Sequence, residues 1–132
     1  MFSRSQYFEI WKKVKAGNKL EGEEKIIGEL MQQHKEFYNE WESTNFDYEY
    51  DPDTEVNPFL HIQFDLIVMN QMNNNNPAQT KITYDSLIKH NHSHLEATHK
   101  IASVLAEEIW SVFSFKKEFN EKRYIDKLKK LK

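Results

Sequence analysis

Apolar residues recur at three- and four-residue spacing through most of the chain, the period of helices buried along one side. Tyr7, Phe8, Trp11 and Val14 follow it and predict a helix over Ser3 to Lys15, capped by Ser3 or Ser5 and stopped at Gly17-Asn18. Ile26, Ile27, Leu30, Met31, His34, Phe37, Tyr38 and Trp41 carry the same period through a second helix from Glu21 to Glu42. Its acid-rich start suits the positive end of a helix dipole. The pattern then breaks. Asn45 to Glu55 alternates acids with rings around Pro52 and reads as an extended surface crossover, with Phe46, Tyr48 and Tyr50 laid back onto the helices.

Asn57-Pro58 restarts the helical pattern, because asparagine caps well and proline at the first helical position gives up an N–H that had no partner. The run from Phe59 to Met69 is apolar on nearly every side, so this helix is expected to be the most buried. Leu60, Ile62, Phe64, Leu66 and Val68 also alternate as a strand would, but the Asn-Pro start and the continuation to Gln71-Met72 favour a helix. Asn73 to Pro77 is a loop. A short helix follows from Thr80 to Lys89, then a long one from Leu95 to Phe113 with a core stripe of Leu95, Ala102, Leu105, Ala106, Ile109, Val112 and Phe113. A lysine-rich helix from Lys117 to Leu131 closes the chain, burying Phe119, Tyr124, Ile125, Leu128 and Leu131. The expected fold is an all-α, single-domain bundle of five or six helices over residues 1–132.

Composition narrows the chemistry. The chain has 39% hydrophobic and 30% charged residues, enough rings for a core, and no cysteine, which removes disulfides, thiolate metal sites and cysteine nucleophiles together. The first residues carry no apolar run ahead of a small-residue cleavage site, so no secretory signal is expected. The longest aliphatic run, Leu66 to Met69, is far short of a membrane span.

A net charge of −3 hides a segregation: eight acidic and no basic residues from Glu36 to Glu55, against eight basic and three acidic from Lys116 to Lys132. Such blocks serve as solvated faces, or pair with a protein partner or a second copy. As a calcium loop the acidic stretch fails, since from Asp47 the glycine position is Pro52 and the closing glutamate position is Pro58. The last helix offers Lys122, Arg123, Lys127, Lys129, Lys130 and Lys132 to phosphates, but arginine occurs only twice in the chain and no recognition motif appears, which disfavours nucleic acid.

Histidine is the residue type that could carry chemistry. His99 lies about 20° from Ala106 and about 40° from Leu95 around an ideal helix, so it is expected to face the core. Glu96 precedes it by three residues, the carboxylate–imidazole unit of metal-binding bundles. His61 and Asp65 are four apart on the proline-started helix and share a face. If the two helices pack antiparallel, His61, Asp65, Glu96 and His99 converge on one divalent transition metal, with zinc, iron or manganese better suited than calcium. The competing expectation is that His61 and His99 are buried structural histidines bonded to Asp65, Glu96 or the backbone. His34 is expected as a core histidine bonded to a neighbouring polar group, with a third imidazole for the metal as its alternative. His90, His92 and His94 read as a solvated or capping cluster. No phosphate loop, nucleophile elbow or His-Glu-x-x-His motif is present, so the sequence identifies no catalytic centre.

Asn57-Pro-Phe-Leu-His61, Gln71, His34-Lys-Glu-Phe37, and Glu96, His99 and Glu107-Glu-Ile-Trp110 together resemble the bacterial family known as domain of unknown function 1841. Met1-Phe2, Trp11-Lys12 and Glu24 are similar too, so the resemblance covers most of the chain. It implies a small cytoplasmic, mostly helical protein without an assigned activity. The family pattern places histidine where this chain has Asp65 and another near Leu95. The expected function is divalent-metal binding through core histidines and carboxylates. The alternative is a non-catalytic interaction module using the acidic loop or the basic C-terminal helix.

Overall fold

All regular structure among the described residues, 2–132 of this computed structural model, is helical. The α-helices are α1 (Arg4–Lys15), α2 (Gly22–Gln33), α3 (Tyr38–Trp41), α4 (Pro58–Asn74), α5 (Ala78–Lys89), α6 (His94–Phe115) and α7 (Glu121–Lys129), with one 3-10 turn, Lys35–Phe37, between α2 and α3. The count exceeds the expected five or six because the second predicted helix is broken into α2, the turn and α3. None of these helices is long and apolar enough to cross a membrane. The chain divides into two compact units, residues up to Leu66 and Ile67–Lys132, and the division falls inside α4.

In the first unit, α1 opens with a reciprocal cap. The Ser3 hydroxyl accepts from the Gln6 amide at 3.2 Å, and the Gln6 side chain accepts from the Ser3 amide at 2.7 Å. Gly17, at φ +75°, takes the left-handed turn that lets the Asn18 amide reach the Lys13 carbonyl at 3.0 Å. Between these ends α1 buries Tyr7, Ile10 and Trp11 in a core shared with Ile27, Leu30 and Met31 of α2, Trp41 of α3, and Ile62 and Leu66 of α4. The Asn57 carboxamide oxygen caps α4 by accepting from the Phe59 and Leu60 amides, each at 3.1 Å. Asn-Pro thus starts a helix, and the strand reading of residues 59–69 falls.

The second unit packs α5, α6 and α7 against one another. The end of α4 is closed at Asn75, which adopts a left-handed conformation (φ +50°), while the Asn76 amide returns to the Gln71 carbonyl. The Gln71 side-chain oxygen accepts from Thr80 at 2.9 Å and from Tyr124 at 2.8 Å, so one amide satisfies two buried hydroxyls. α6 carries a Ser93–Glu96 capping box and buries Ala97, Thr98, Ile101, Ala102, Val104, Leu105 and Glu108. That stripe is rotated from the expected one: Leu95 and Phe113 are 41% and 78% exposed, and Phe119 beyond α6 is 40% exposed. Apolar character alone put them inside.

The Glu108 side chain is almost wholly covered, and its charge is met by protein cations. The Arg123 Nε lies 2.9 and 3.1 Å from its two oxygens, and Lys127 Nζ is 2.9 Å away. Burial pushes this carboxyl up, but the hydrogen bonds from Lys127 and Arg123 outweigh it and hold Glu108 below the usual carboxylate range. These contacts fasten α7 to α6. Removing both cations strands a buried charge, whereas replacing the acid with an apolar residue of similar size does not. The Arg123→Ala/Lys127→Ala double variant is therefore expected to lose about 2 kcal/mol in urea denaturation, a figure discounted because both cations are partly solvated. Glu108→Met is expected to lose less than about 1 kcal/mol.

Candidate metal centre

α2 ends after Gln33 although no glycine or proline stops it. Its last carbonyls are satisfied by side chains instead of by another helical turn. The His34 Nδ1–H donates to the Leu30 carbonyl at 2.7 Å, the Trp41 indole N–H to Met31 at 3.1 Å, and the Tyr38 hydroxyl to Gln32 at 2.7 Å. His34 itself leaves the helical region (φ −107°, ψ 72°), and its carbonyl begins the 3-10 turn by accepting from the Phe37 amide. This is the correction to the continuous Glu21–Glu42 helix. A carbonyl can only accept, so the Leu30 contact puts the proton on Nδ1. In neutral His34 the lone pair therefore sits on Nε2.

That Nε2 faces α4, where His61 and Asp65 stand one turn apart. His34 Nε2 lies 3.1 Å from His61 Nε2 and 3.5 Å from Asp65 Oδ2, and His61 Nε2 lies 3.4 Å from the same oxygen. Three donor atoms thus form a nearly equilateral triangle. The side chains of His34 and Asp65 are 9% and 3% exposed and that of His61 is 20% exposed, so solvent approaches past His61. Phe37 lies parallel to the His34 ring at 5.9 Å and edge-on to His61 at 5.8 Å, with Trp41 packed against Phe37 at 5.8 Å.

Ligand atoms about 2.1 Å from one ion are separated by about 3.4 Å in a tetrahedron, or about 3.0 Å when adjacent in an octahedron. The measured sides, 3.1, 3.4 and 3.5 Å, fall in and just above that interval. The donor set, two imidazoles and one carboxylate, suits zinc, iron or manganese and not calcium. Asp65 supplies an independent observation. Its second oxygen, Oδ1, is buried without a hydrogen-bond partner. Burial pushes the Asp65 carboxyl up to about 6, against the opposing pull of His34.

Of the four residues expected from sequence, His61 and Asp65 are brought together, and the histidine that joins them is His34. Among the described residues, His34, His61 and Asp65 form the one such group of three potential metal-binding side chains. Glu96 and His99 belong to α6 in the second unit, and both are exposed. The Glu96 carboxylate accepts from the Ser93 amide at 3.0 Å, and hydrogen bonds from Ser93 hold it below the ordinary range. His99 lies about 150° from the middle of the buried stripe, because the expected stripe leaned on the exposed Leu95 and Phe113. It is not a core histidine. The His90–His94 cluster makes local contacts, with His90 Nδ1 at 2.7 Å from the Ser86 carbonyl and His94 Nδ1 at 2.7 Å from the Tyr84 hydroxyl.

Fold and site together define an all-helical protein with a two-histidine, one-carboxylate corner inside its first unit. The chain belongs to the family described as Domain of unknown function (DUF1841), whose model matches residues 2–130. No curated protein and no solved structure matches it.

A carboxyl raised in the folded state stabilises fully below its unfolded-state value, about 3.9, and loses that contribution as pH rises through about 6. Above that, the metal-free protein carries an unfavourable buried charge. Asp65→Asn removes it. In metal-free samples the variant is expected to exceed the parent in stability by about 1–3 kcal/mol at neutral pH and to show little difference near pH 4, measured by urea denaturation across that range.

Proposed function

We propose that the protein binds one divalent transition metal ion through His34 Nε2, His61 Nε2 and Asp65 Oδ2. This reading keeps His61 and Asp65 from the sequence expectation and takes His34 in place of Glu96 and His99. The observation that carries it is the triangle of 3.1, 3.4 and 3.5 Å. Two features support it. The Leu30 carbonyl fixes the His34 tautomer that offers a lone pair, as second partners of metal-binding histidines do. The unpaired Asp65 oxygen is a desolvation cost that a cation offsets. Three protein ligands leave the coordination shell incomplete, as in metal sites that exchange a small ligand. Zinc, iron(II) and manganese(II) are the candidate ions.

Untagged protein dialysed against each metal is expected to retain one equivalent by elemental analysis. At a free concentration 100 times the dissociation constant, the ion adds about 2.7 kcal/mol to stability, or a rise in Tm of roughly 10 °C. His34→Ala, His61→Ala and Asp65→Asn are each expected to fall below about a tenth of an equivalent, while Glu96→Gln and His99→Ala retain the metal. Parent protein that retains none, with no thermal shift, would overturn the reading.

A second reading, a non-catalytic interaction module, rests on Trp110, Phe113 and Phe115 near the end of α6, which are 62%, 78% and 59% exposed. Several groups of the charged segments are engaged within the chain: Tyr48 with Glu55, Tyr50 with Glu40, and Arg123 and Lys127 with Glu108. On this reading the aromatic side chains make the contact. Sedimentation is expected to show self-association, lost in Trp110→Ser/Phe113→Ser; a monomer at all concentrations would count against self-association as its basis.

A further inference from the structure

Resting on the metal reading, we propose that the open coordination position at His34, His61 and Asp65 selects a small monoanion over a neutral ligand. The argument is a charge count in a nearly dry place. The Leu30 carbonyl holds the proton on His34 Nδ1, so His34 contributes an uncharged donor at Nε2. A ligating imidazole at His61 is likewise neutral, and Asp65 contributes a single negative charge. With a dication the cluster keeps one positive charge. Against both imidazoles stands Phe37, and the side chains of His34 and Asp65 are themselves almost wholly covered. An uncompensated charge in such surroundings is costly, and a fourth ligand carrying one negative charge cancels it. A neutral ligand leaves it in place.

Access sets the size. His34 and Asp65 are nearly sealed and the way in runs past His61, with 20% of its side chain exposed. A ligand of a few atoms fits that approach better than an extended organic molecule. The chemical class is therefore a small monoanion such as hydroxide, azide or formate.

Cobalt(II) serves as the probe ion, since its visible d–d absorption reports changes in its ligands. Full-length protein is first shown by elemental analysis to hold one equivalent of cobalt and to display that absorption. Sodium azide is then titrated at constant ionic strength in sulfate, and free imidazole is titrated in parallel. The expected result is a saturable, one-to-one spectral change with azide at millimolar concentration, with imidazole binding at least about tenfold more weakly. Bound cobalt whose spectrum ignores azide, or which prefers imidazole, overturns the anion proposal and leaves metal binding standing. Failure to take up cobalt, zinc, iron or manganese removes the metal reading and this proposal with it.

Discussion

The end of α2 is the constraint on which the first unit depends. Three successive carbonyls, of Leu30, Met31 and Gln32, are closed by His34, Trp41 and Tyr38. Each of these donors also does packing work. Trp41 is in the core, Tyr38 packs on Trp11 with ring centroids 4.9 Å apart, and His34 lies against Phe37. Without those donors the unpaired carbonyls would favour another helical turn, which would carry the His34 ring elsewhere. The chain turns here because hydrogen bonding and apolar burial agree on the same three side chains.

Two buried acids in this protein show what separates a structural charge from a poised one. Glu108 has both oxygens bonded to Arg123 and a further contact from Lys127, and it stays easily ionised. Asp65 faces two imidazoles through one oxygen, keeps the other unpaired, and is hard to ionise. The first arrangement is complete as it stands. The second carries a desolvation cost that His34 offsets only in part, in a place where three donor atoms point at one another. Both side chains are almost wholly covered, but Asp65 is desolvated more deeply and lacks the cationic donors that Glu108 has.

Much of the helical framework was legible because it follows from local chemistry. Ser3, Asn57 with Pro58, and the asparagine tract act through neighbours in sequence: Ser3 and Asn57 cap as expected, with Gln6 completing the first cap, while α4 runs on through Asn74 before the expected loop closes it at Asn75. The break at His34 was not legible, since its cause is a set of tertiary hydrogen bonds and the apolar period runs on past it. The site was half legible. His61 and Asp65 share a helical face by spacing alone, but the third donor depends on that break. The sequence offers His34 as an alternative third imidazole through its place on the apolar face of α2. On α6 the error came from treating every large apolar residue as buried: Leu95 and Phe113 pulled the expected stripe toward His99, whereas the small and polar Ala97, Thr98 and Glu108 line the true one.

His34 and His61 are 27 positions apart, and the stretch between them contains the whole helix-free crossover from Glu42 to Asn57. An ion bound as proposed would act as a clasp on that stretch, holding its two ends together. Because such an ion would be held by the folded chain alone, it would stabilise the closed loop by mass action. A cut peptide bond within the acidic crossover would then leave two fragments still joined at the metal.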